Sequence, residues 1–241
     1  MDAPTLPLLD SSAFRRVLVV VAHPDDAEYG TSCAVAAWTA AGVEVTYLLL
    51  TRGEAGIRSM EPAETAVLRT REQIEGSEAV GVTDVRFLDL PDGALEPTLD
   101  LRREIARVIR DVRPDVVVTG SWEVEAPWGL NHVDHRVCGI AAVDAVRDAD
   151  NPWMFPELRE SGLEAWAAHT LLVGGHSRPT HGVDVTGEPL ERGIASLAAH
   201  RVYLEAIPEH PPARPFVTGM TAGQGEPLGV AHGVLFRVQE M

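Results

Sequence analysis

Short, densely apolar runs recur along the chain, separated by stretches in which apolar residues return at helical spacing. The runs are "VLVVVA" (17–22), "VEVTYLLLT" (43–51), "VRFLDL" (85–90), "DVVVTG" (115–120) and "HTLLVGG" (169–175). Runs this short, rich in β-branched residues and bounded by polar or turn residues, predict strands, most of them buried on both faces. The helical pattern fits 31–41, 64–80, 99–112, 133–148 and 188–206. In "LDLRREIARVIRDV" it puts Leu101, Ile105, Val108 and Ile109 on one face with charges opposite, and "RPDVVVTG" then stops the helix at a proline before a new strand. Strands alternating with helices predict an α/β fold: Rossmann-like, with a mostly parallel sheet flanked by helices.

Two stretches fall outside this alternation. Residues 150–168 ("DNPWMFPELRESGLEAWAA") read as an insertion with a short helix and several aromatics, placed like a lid that would help to shape a pocket. The tail from Pro208 is rich in proline and glycine and ends in "GVLFRV", which reads as an edge strand and with the rest of the tail decorates the C-terminal end. The whole chain, 1–241, reads as one domain.

Binding sites in open parallel sheets form beyond the carboxyl ends of the strands. Four such ends carry the polar groups of interest: "HPDDAE" after the first strand, "TRGEAG" after the second, "DLPDG" after the third and "GSWEVEAPWGLNHVDH" after the fourth. In "HPDD", Pro24 fixes one backbone angle of a tight turn that presents His23, Asp25 and Asp26. An imidazole and a carboxylate on one side of a turn suit zinc or a similar divalent ion, whereas a polar turn whose aspartates cap the next helix is the plainer alternative. "NHVDHR" favours the metal: His132 and His135 share a face if a helix starts there with Asn131 as its cap, and either would complete a three-ligand site with His23 and Asp26. Asp25, Glu28 and Asp134 then remain as carboxylates beside the ion, available as a base or as a hydrogen-bond partner that fixes a histidine tautomer.

Charge narrows the partners. The formal net charge is −16, the wrong sign for nucleic acid or an anionic membrane surface. Lysine is absent and every basic side chain other than histidine is arginine, which excludes Schiff-base chemistry and a Walker-type phosphate loop. No apolar segment approaches the roughly 20 residues of a membrane span. The N-terminal stretch lacks the pattern of a signal peptide, so the chain reads as cytoplasmic. Cys33 and Cys138, the only cysteines, sit in apolar surroundings and read as buried free thiols. His169, His176 and His181 read as loop histidines and His200 as a helix-face residue packed on the core, while Trp122 and Trp128 would either wall a pocket or simply pack their loop.

"AHPDDAEYG" together with "NHVDHR" resembles the LmbE-like, or PIG-L, zinc-dependent N-deacetylases, whose signatures are an AHPDD motif after the first strand and a later HPDH-type motif. The resemblance continues through "TRGEAG", "DVRFLDLPDGALEPTLDLRREIARVIRDVRPDVVVT" and "HGVDVTGEPLERGIASLAAHRVYLE", covering about 16–206 and leaving 207–241 as an extension. It implies His23, Asp26 and His135 as ligands of Zn2+ (or another divalent ion such as Fe2+) and Asp25 as the general base. It further implies that His132 steadies the oxyanion or protonates the leaving amine, with Asp134 orienting it. Arg52, Glu54 and Asp92 match the positions that contact sugar hydroxyls. Two positions depart from the pattern: "SCA" (32–34) replaces glycine-glycine-threonine, and Val133 replaces the proline of HPDH. All six chemical residues remain.

The implied activity is hydrolysis of the amide of an N-acylated amino sugar or related small metabolite, with acetyl as the expected acyl group. The rivals are an amidase of thiol-sugar conjugates and a metal-binding protein without turnover; the intact Asp25 and His132 argue against the latter. An aspartyl-nucleophile phosphatase would need a lysine. A homo-oligomer is compatible with the sequence, which leaves the oligomeric state open.

Overall fold

The computed structural model describes residues 5–241. In chain order the first half runs β1 (Arg16–Val21), α1 (Asp26–Gly30), α2 (Ser32–Ala40), β2 (Glu44–Leu49), α3 (Pro62–Ala79), β3 (Asp84–Phe87), α4 (Leu99–Val112) and β4 (Val116–Gly120). A two-stranded hairpin, β5 (Glu125–Ala126) and β6 (Gly129–Leu130), precedes α5 (Val133–Asp150), α6 (Pro156–Glu160) and β7 (Thr170–Gly174). The chain closes with β8 (His181–Asp184), α7 (Glu188–Ala198), α8 (Arg201–Glu205), α9 (Ala213–Gly225) and β9 (Gly233–Glu240).

Seven strands form one sheet in the order β3-β2-β1-β4-β7-β9-β8. The first five are parallel, and β9 lies antiparallel to both β7 and β8. From β1 the chain steps outward through β2 to β3 and then returns to place β4 on the other side of β1. The two strands at that reversal pair in register, Val19 against Val118 and Val20 against Thr119. Their carboxyl ends splay the following loops apart, and a crevice opens there.

Alternation along β1 divides the core in two. Val17, Val19 and Val21 join the cluster that includes Trp38, Leu197, Val217 and Phe236 on one face of the sheet. Leu18, Val20 and Ala22 face Ile105, Ile109, Ala142 and Ala145 on the other. Each fully buried Val or Leu contributes about 1.5–3 kcal/mol, so the strand that carries the HPDD turn is anchored on both faces. Gly139 brings α5 against the end of β4, where an added Cβ would lie 2.6 Å from the Gly120 carbonyl oxygen. No other residue fits that approach without moving the helix.

Three expectations are corrected. "GVLFRV" is not an edge strand: β9 sits between β7 and β8, with Val234 and Phe236 buried, and the short β8 is the edge. The tail also contains the helix α9. Second, the helix expected over 188–206 is broken at Ala199–His200. The buried Glu72 carboxylate of α3 accepts from the Val202 and Tyr203 amides at 2.6 and 3.3 Å, starting a new helix in place of the old one's carbonyls. Third, residues 150–168 are far from the crevice. The 18-residue α5 starts at the crevice and, at about 27 Å, delivers them to the opposite end of the sheet. There the wholly buried Arg110 gathers the carbonyls of Asp148, Ala149, Asn151, Met154 and Phe155, and the Trp166 indole donates to Pro114 ahead of β4. Among the described residues no helix is long and apolar enough to cross a membrane.

Candidate metal centre

The HPDD turn begins where β1 stops. The Ala22 and His23 amides both donate to Asp26 Oδ2, at 3.0 and 2.9 Å, which folds that carboxylate back over the strand end. Asp25 occupies the left-handed region, with φ of 87°, a conformation that costs a residue with a Cβ roughly 1 kcal/mol or more. Its surroundings hold it there. Its amide donates to Gln73 Oε1 at 2.9 Å, and its carboxylate receives Arg69 Nη2 at 2.9 Å. Arg69 also bonds the Pro24 and Gly53 carbonyls and lies 3.8 Å from the centre of the Tyr203 ring.

The other half arrives from the loop after β4. His132, rather than Asn131, caps α5: its Nδ1 accepts from the Asp134 amide at 3.3 Å. A capping imidazole meets the first turn directly and frees Asn131 for other contacts. The Asn131 amide group donates to the Ser121 and Glu123 carbonyls, so its oxygen faces His135 Nδ1 at 3.1 Å.

His23, Asp26 and His135 converge. His23 Nδ1 lies 3.2 Å from His135 Nε2, and Asp26 lies 3.6 Å from the first nitrogen and 3.1 Å from the second. The far nitrogens of both rings already face acceptors: His23 Nε2 is 3.0 Å from Asp92 and 3.1 Å from Asp134, and His135 Nδ1 faces Asn131. With those nitrogens donating, each neutral ring turns a bare lone pair toward the other, beside a carboxylate. Two lone pairs at that distance repel unless a proton or a metal ion lies between them. Two imidazoles and a carboxylate, each fixed by an outer hydrogen bond, are a donor set that could hold a divalent metal ion. A second group, His23, His132 and Asp134, also has its donor atoms within 4.8 Å of one another, but His132 Nδ1 and the Asp134 oxygens are engaged by backbone amides, those of Asp134 itself, Gly93 and Leu95.

The charges without a cation show the same strain. Burial works against ionisation of Asp26, yet His135 and His23 outweigh it and hold the carboxyl well below its usual range. Burial disfavours a charged His23, but Asp26, Asp134 and Asp92 push it up to about 12. His135 is raised on the same balance, mainly by Asp26 against burial. The Asp25 carboxyl is raised to about 6, since burial exceeds the pull of Arg69.

Other expected residues lie differently. Asp134 was expected to orient His132; its carboxylate instead touches His23 and accepts from the Gly93 and Leu95 amides at 2.7 and 3.1 Å, because α5 turns that side chain inward. His132 is exposed at the crevice. Arg52 pairs with Asp89 and Thr70 and lies over Phe87. Glu54 accepts from the Asp92 amide and Asp92 from the Ala55 amide, both at 2.8 Å, so these two acids stitch the loops after β2 and β3 together. Trp122 packs edge-on against His176, while Trp128, on the β5–β6 hairpin, covers Gly175. The residues that sequence reasoning passed over are Arg69 and Gln73. Their signal was the polar set Arg69, Glu72 and Gln73 at helical spacing, a buried face of α3 where apolar residues would ordinarily sit.

Comparison with known proteins joins this geometry to a family. Diacetylchitobiose deacetylase of Thermococcus kodakarensis is 31% identical over 190 residues, covering 77% of this chain and 69% of the relative. A 1D-myo-inositol 2-acetamido-2-deoxy-alpha-D-glucopyranoside deacetylase of Kineococcus radiotolerans is 34% identical over 189 residues, covering 61% of this chain and 51% of the relative. Among solved structures, N,N'-diacetylchitobiose deacetylase from Pyrococcus horikoshii superimposes with a TM-score of 0.87 at 25% identity, over 95% of this chain and 85% of that one. The family model of PIG-L, GlcNAc-PI de-N-acetylase, matches residues 18–146, from β1 through most of α5 and so across both halves of the metal centre. The chain belongs to the PIG-L family.

Proposed function

We propose that this protein is a divalent-metal-dependent hydrolase that removes the acyl group from the amide nitrogen of an N-acylated amino sugar or related small metabolite. The observation that carries the reading is the convergence of His23 Nδ1, His135 Nε2 and the Asp26 carboxylate, with the opposite ring nitrogens facing Asp92, Asp134 and Asn131. The deacetylase activity named for the relatives is in keeping with it. His23 Nδ1, His135 Nε2 and Asp26 would hold the ion, with zinc the metal that their chemistry favours. A divalent ion there supplies Lewis acidity to an amide carbonyl and acidifies a water near neutral pH.

The chain's own groups do the rest. Asp25, adjacent in sequence to the ligand Asp26 and raised to about 6, is a base matched to neutral pH and takes the proton of the attacking water. His132, exposed at the crevice with Nδ1 occupied by the helix amide, presents Nε2 to the oxyanion and to the leaving nitrogen. Asp134 and Asp92 hold the His23 ring so that its Nδ1 faces the ion. Glu54 and Asp92 stiffen the loops on the sugar side of the crevice. The enzyme works on small molecules in the cytoplasm, without nucleic acid or membrane as a partner, in keeping with its acidic charge.

The test is Asp25→Asn in the zinc-loaded protein, with metal content by elemental analysis and free-amine release from N-acetylglucosamine derivatives. Loss of a general base lowers kcat by about 10²–10⁴ with zinc still bound. Full activity removes Asp25 as the base, and wild-type protein that binds no divalent metal removes the site.

A further inference from the structure

Beside the metal centre a cavity of about 800 Å³ runs down between the sheet and α9. Its lining includes Asp26, Asn131, His135 and Trp128 at the metal centre, Val19 and Val118 on the sheet, and Met220 and Leu235 of α9 and β9. Val19 lies four residues before His23 on an extended strand, a depth of about 13 Å. We infer that this cavity is an acyl-chain subsite, and that the preferred substrate carries a medium-length alkanoyl group rather than acetyl on its amide nitrogen. The inference rests on the hydrolase reading above and specifies which amide it serves.

Three observations carry it. The first is size. An acetyl methyl is about the size of a water molecule, whose share of liquid volume is about 30 Å³, so acetyl would leave nearly the whole cavity unused. The second is chemistry. A sugar needs many free hydrogen-bond partners, whereas this lining is mainly apolar and several of its polar groups are already engaged: the Tyr29 hydroxyl with His210, Thr31 with the Ala27 carbonyl, Asn131 with three partners and the Gln224 carbonyl with the Leu235 amide. The third is position. The charged loops after β2 and β3 stand on one side of the metal ligands, and the cavity lies under β4, β7 and β9 on the other. A bound amide thus has a polar side for its amine and an apolar side for its acyl chain.

The reaction is ordinary amide hydrolysis. The C–N bond breaks, water gives its hydroxyl to the acyl carbon and its proton to the nitrogen, and the products are a free amine and an alkanoic acid. Each methylene buried on binding is worth about fourfold in affinity, so chain length is the variable to read.

The experiment compares N-octanoyl- and N-acetylglucosamine with the zinc-loaded full chain by free-amine release. The expected result is a kcat/KM at least tenfold higher for octanoyl; equal rates, or a preference for acetyl, overturn the proposal. Gly223→Leu gives a second test. Gly223 lines the cavity on α9, a Cβ there meets nothing within 4 Å, and leucine suits a helix better than glycine, so the variant folds. It lowers the octanoyl-to-acetyl ratio at least tenfold; an unchanged ratio places the chain elsewhere and overturns the subsite. If neither amide is cleaved, the hydrolase reading fails separately, and calorimetry with octanoate and acetate decides the cavity. Octanoate bound at least tenfold tighter than acetate, with the difference lost in Gly223→Leu, supports the subsite, and no preference overturns it.

Discussion

The parallel half of the sheet and its antiparallel end meet at one crevice but contribute different things. From the parallel half come the proposed metal donors, Asp25 and His132, carried by the turn after β1, the loop after β4 and the first turn of α5. From the antiparallel end come Phe216, Met220, Gly223, Gln224 and Leu235, which wall the apolar cavity. In the first region polar groups hold one another in place, ring nitrogen against carboxylate and carboxylate against amide. In the second, shape and apolar surface set the outcome. Chemistry and selectivity are therefore separable by mutation.

The sharpest break should come in the parallel half. His135→Ala removes a proposed metal donor that 30% side-chain exposure leaves at the mouth of the crevice rather than in the core. Activity should fall at least about a thousandfold, which corresponds to about 4 kcal/mol of transition-state stabilisation. The metal content should fall with it, while the circular dichroism spectrum is retained. At the antiparallel end, Phe236→Ala should do the reverse. Phe236 is wholly buried in the middle of the sheet and stacks on Trp38 with ring centroids 5.9 Å apart. The loss should be about 3–5 kcal/mol of stability in urea unfolding, with zinc affinity near that of the parent. A Phe236→Ala protein of unchanged stability would mean that β9 is an appendage after all.

The two regions also differed in how much the sequence disclosed. The parallel strands are continuous apolar runs because helices cover both faces, and the reactive residues cluster where those runs stop. The places of "HPDD" and "NHVDH" in the loops after β1 and β4 are therefore legible in the sequence. The antiparallel end gave weaker signals. "HGVD" is too short and too polar to declare an edge strand, and proline and glycine around 208–229 hide α9. "GVLFRV" reads the same at an edge or in the middle of a sheet, because pairing on its second side depends on β8, 50 residues earlier. Within the site, side-chain direction was the illegible part. Asp134 turned to His23 and Arg52 to Asp89, choices set by where α5 and the loop after β3 happen to bring acceptors.

The boundary between the regions can be probed more gently through Asn131, which belongs to the cavity wall by position and to the metal centre by bonding. Asn131→Ala removes the acceptor that fixes the His135 tautomer, and such outer partners are worth about 10–100-fold in metal affinity. Zinc competition with a chelator should show that loss. Metal affinity should also rise with pH. Without metal, His23 is raised to about 12 by its acidic neighbours against burial, so below that value a proton must leave as the ion enters. Affinity should then gain about tenfold per pH unit for each proton displaced. Proton release measured by calorimetry in two buffers checks the sign, and proton uptake would refute the assigned ligand set.

The smallest effect should come from Glu72, which touches neither metal nor cavity. Its carboxylate caps α8 through the Val202 and Tyr203 amides, and α8 lays the Tyr203 ring over Arg69, whose guanidinium holds Asp25 in its left-handed turn. Glu72→Ala should cost about 1 kcal/mol, the usual worth of a helix cap. If the cap matters only to the fold, kcat should stay at the parent value once the protein is folded. If the chain of contacts runs as the geometry has it, kcat should fall a few-fold with zinc content unchanged, because Asp25 loses some of its fixed direction. Glu72→Gln, which keeps one carbonyl acceptor for the α8 amides, should restore most of both losses, and its failure to do so would detach α8 from the base.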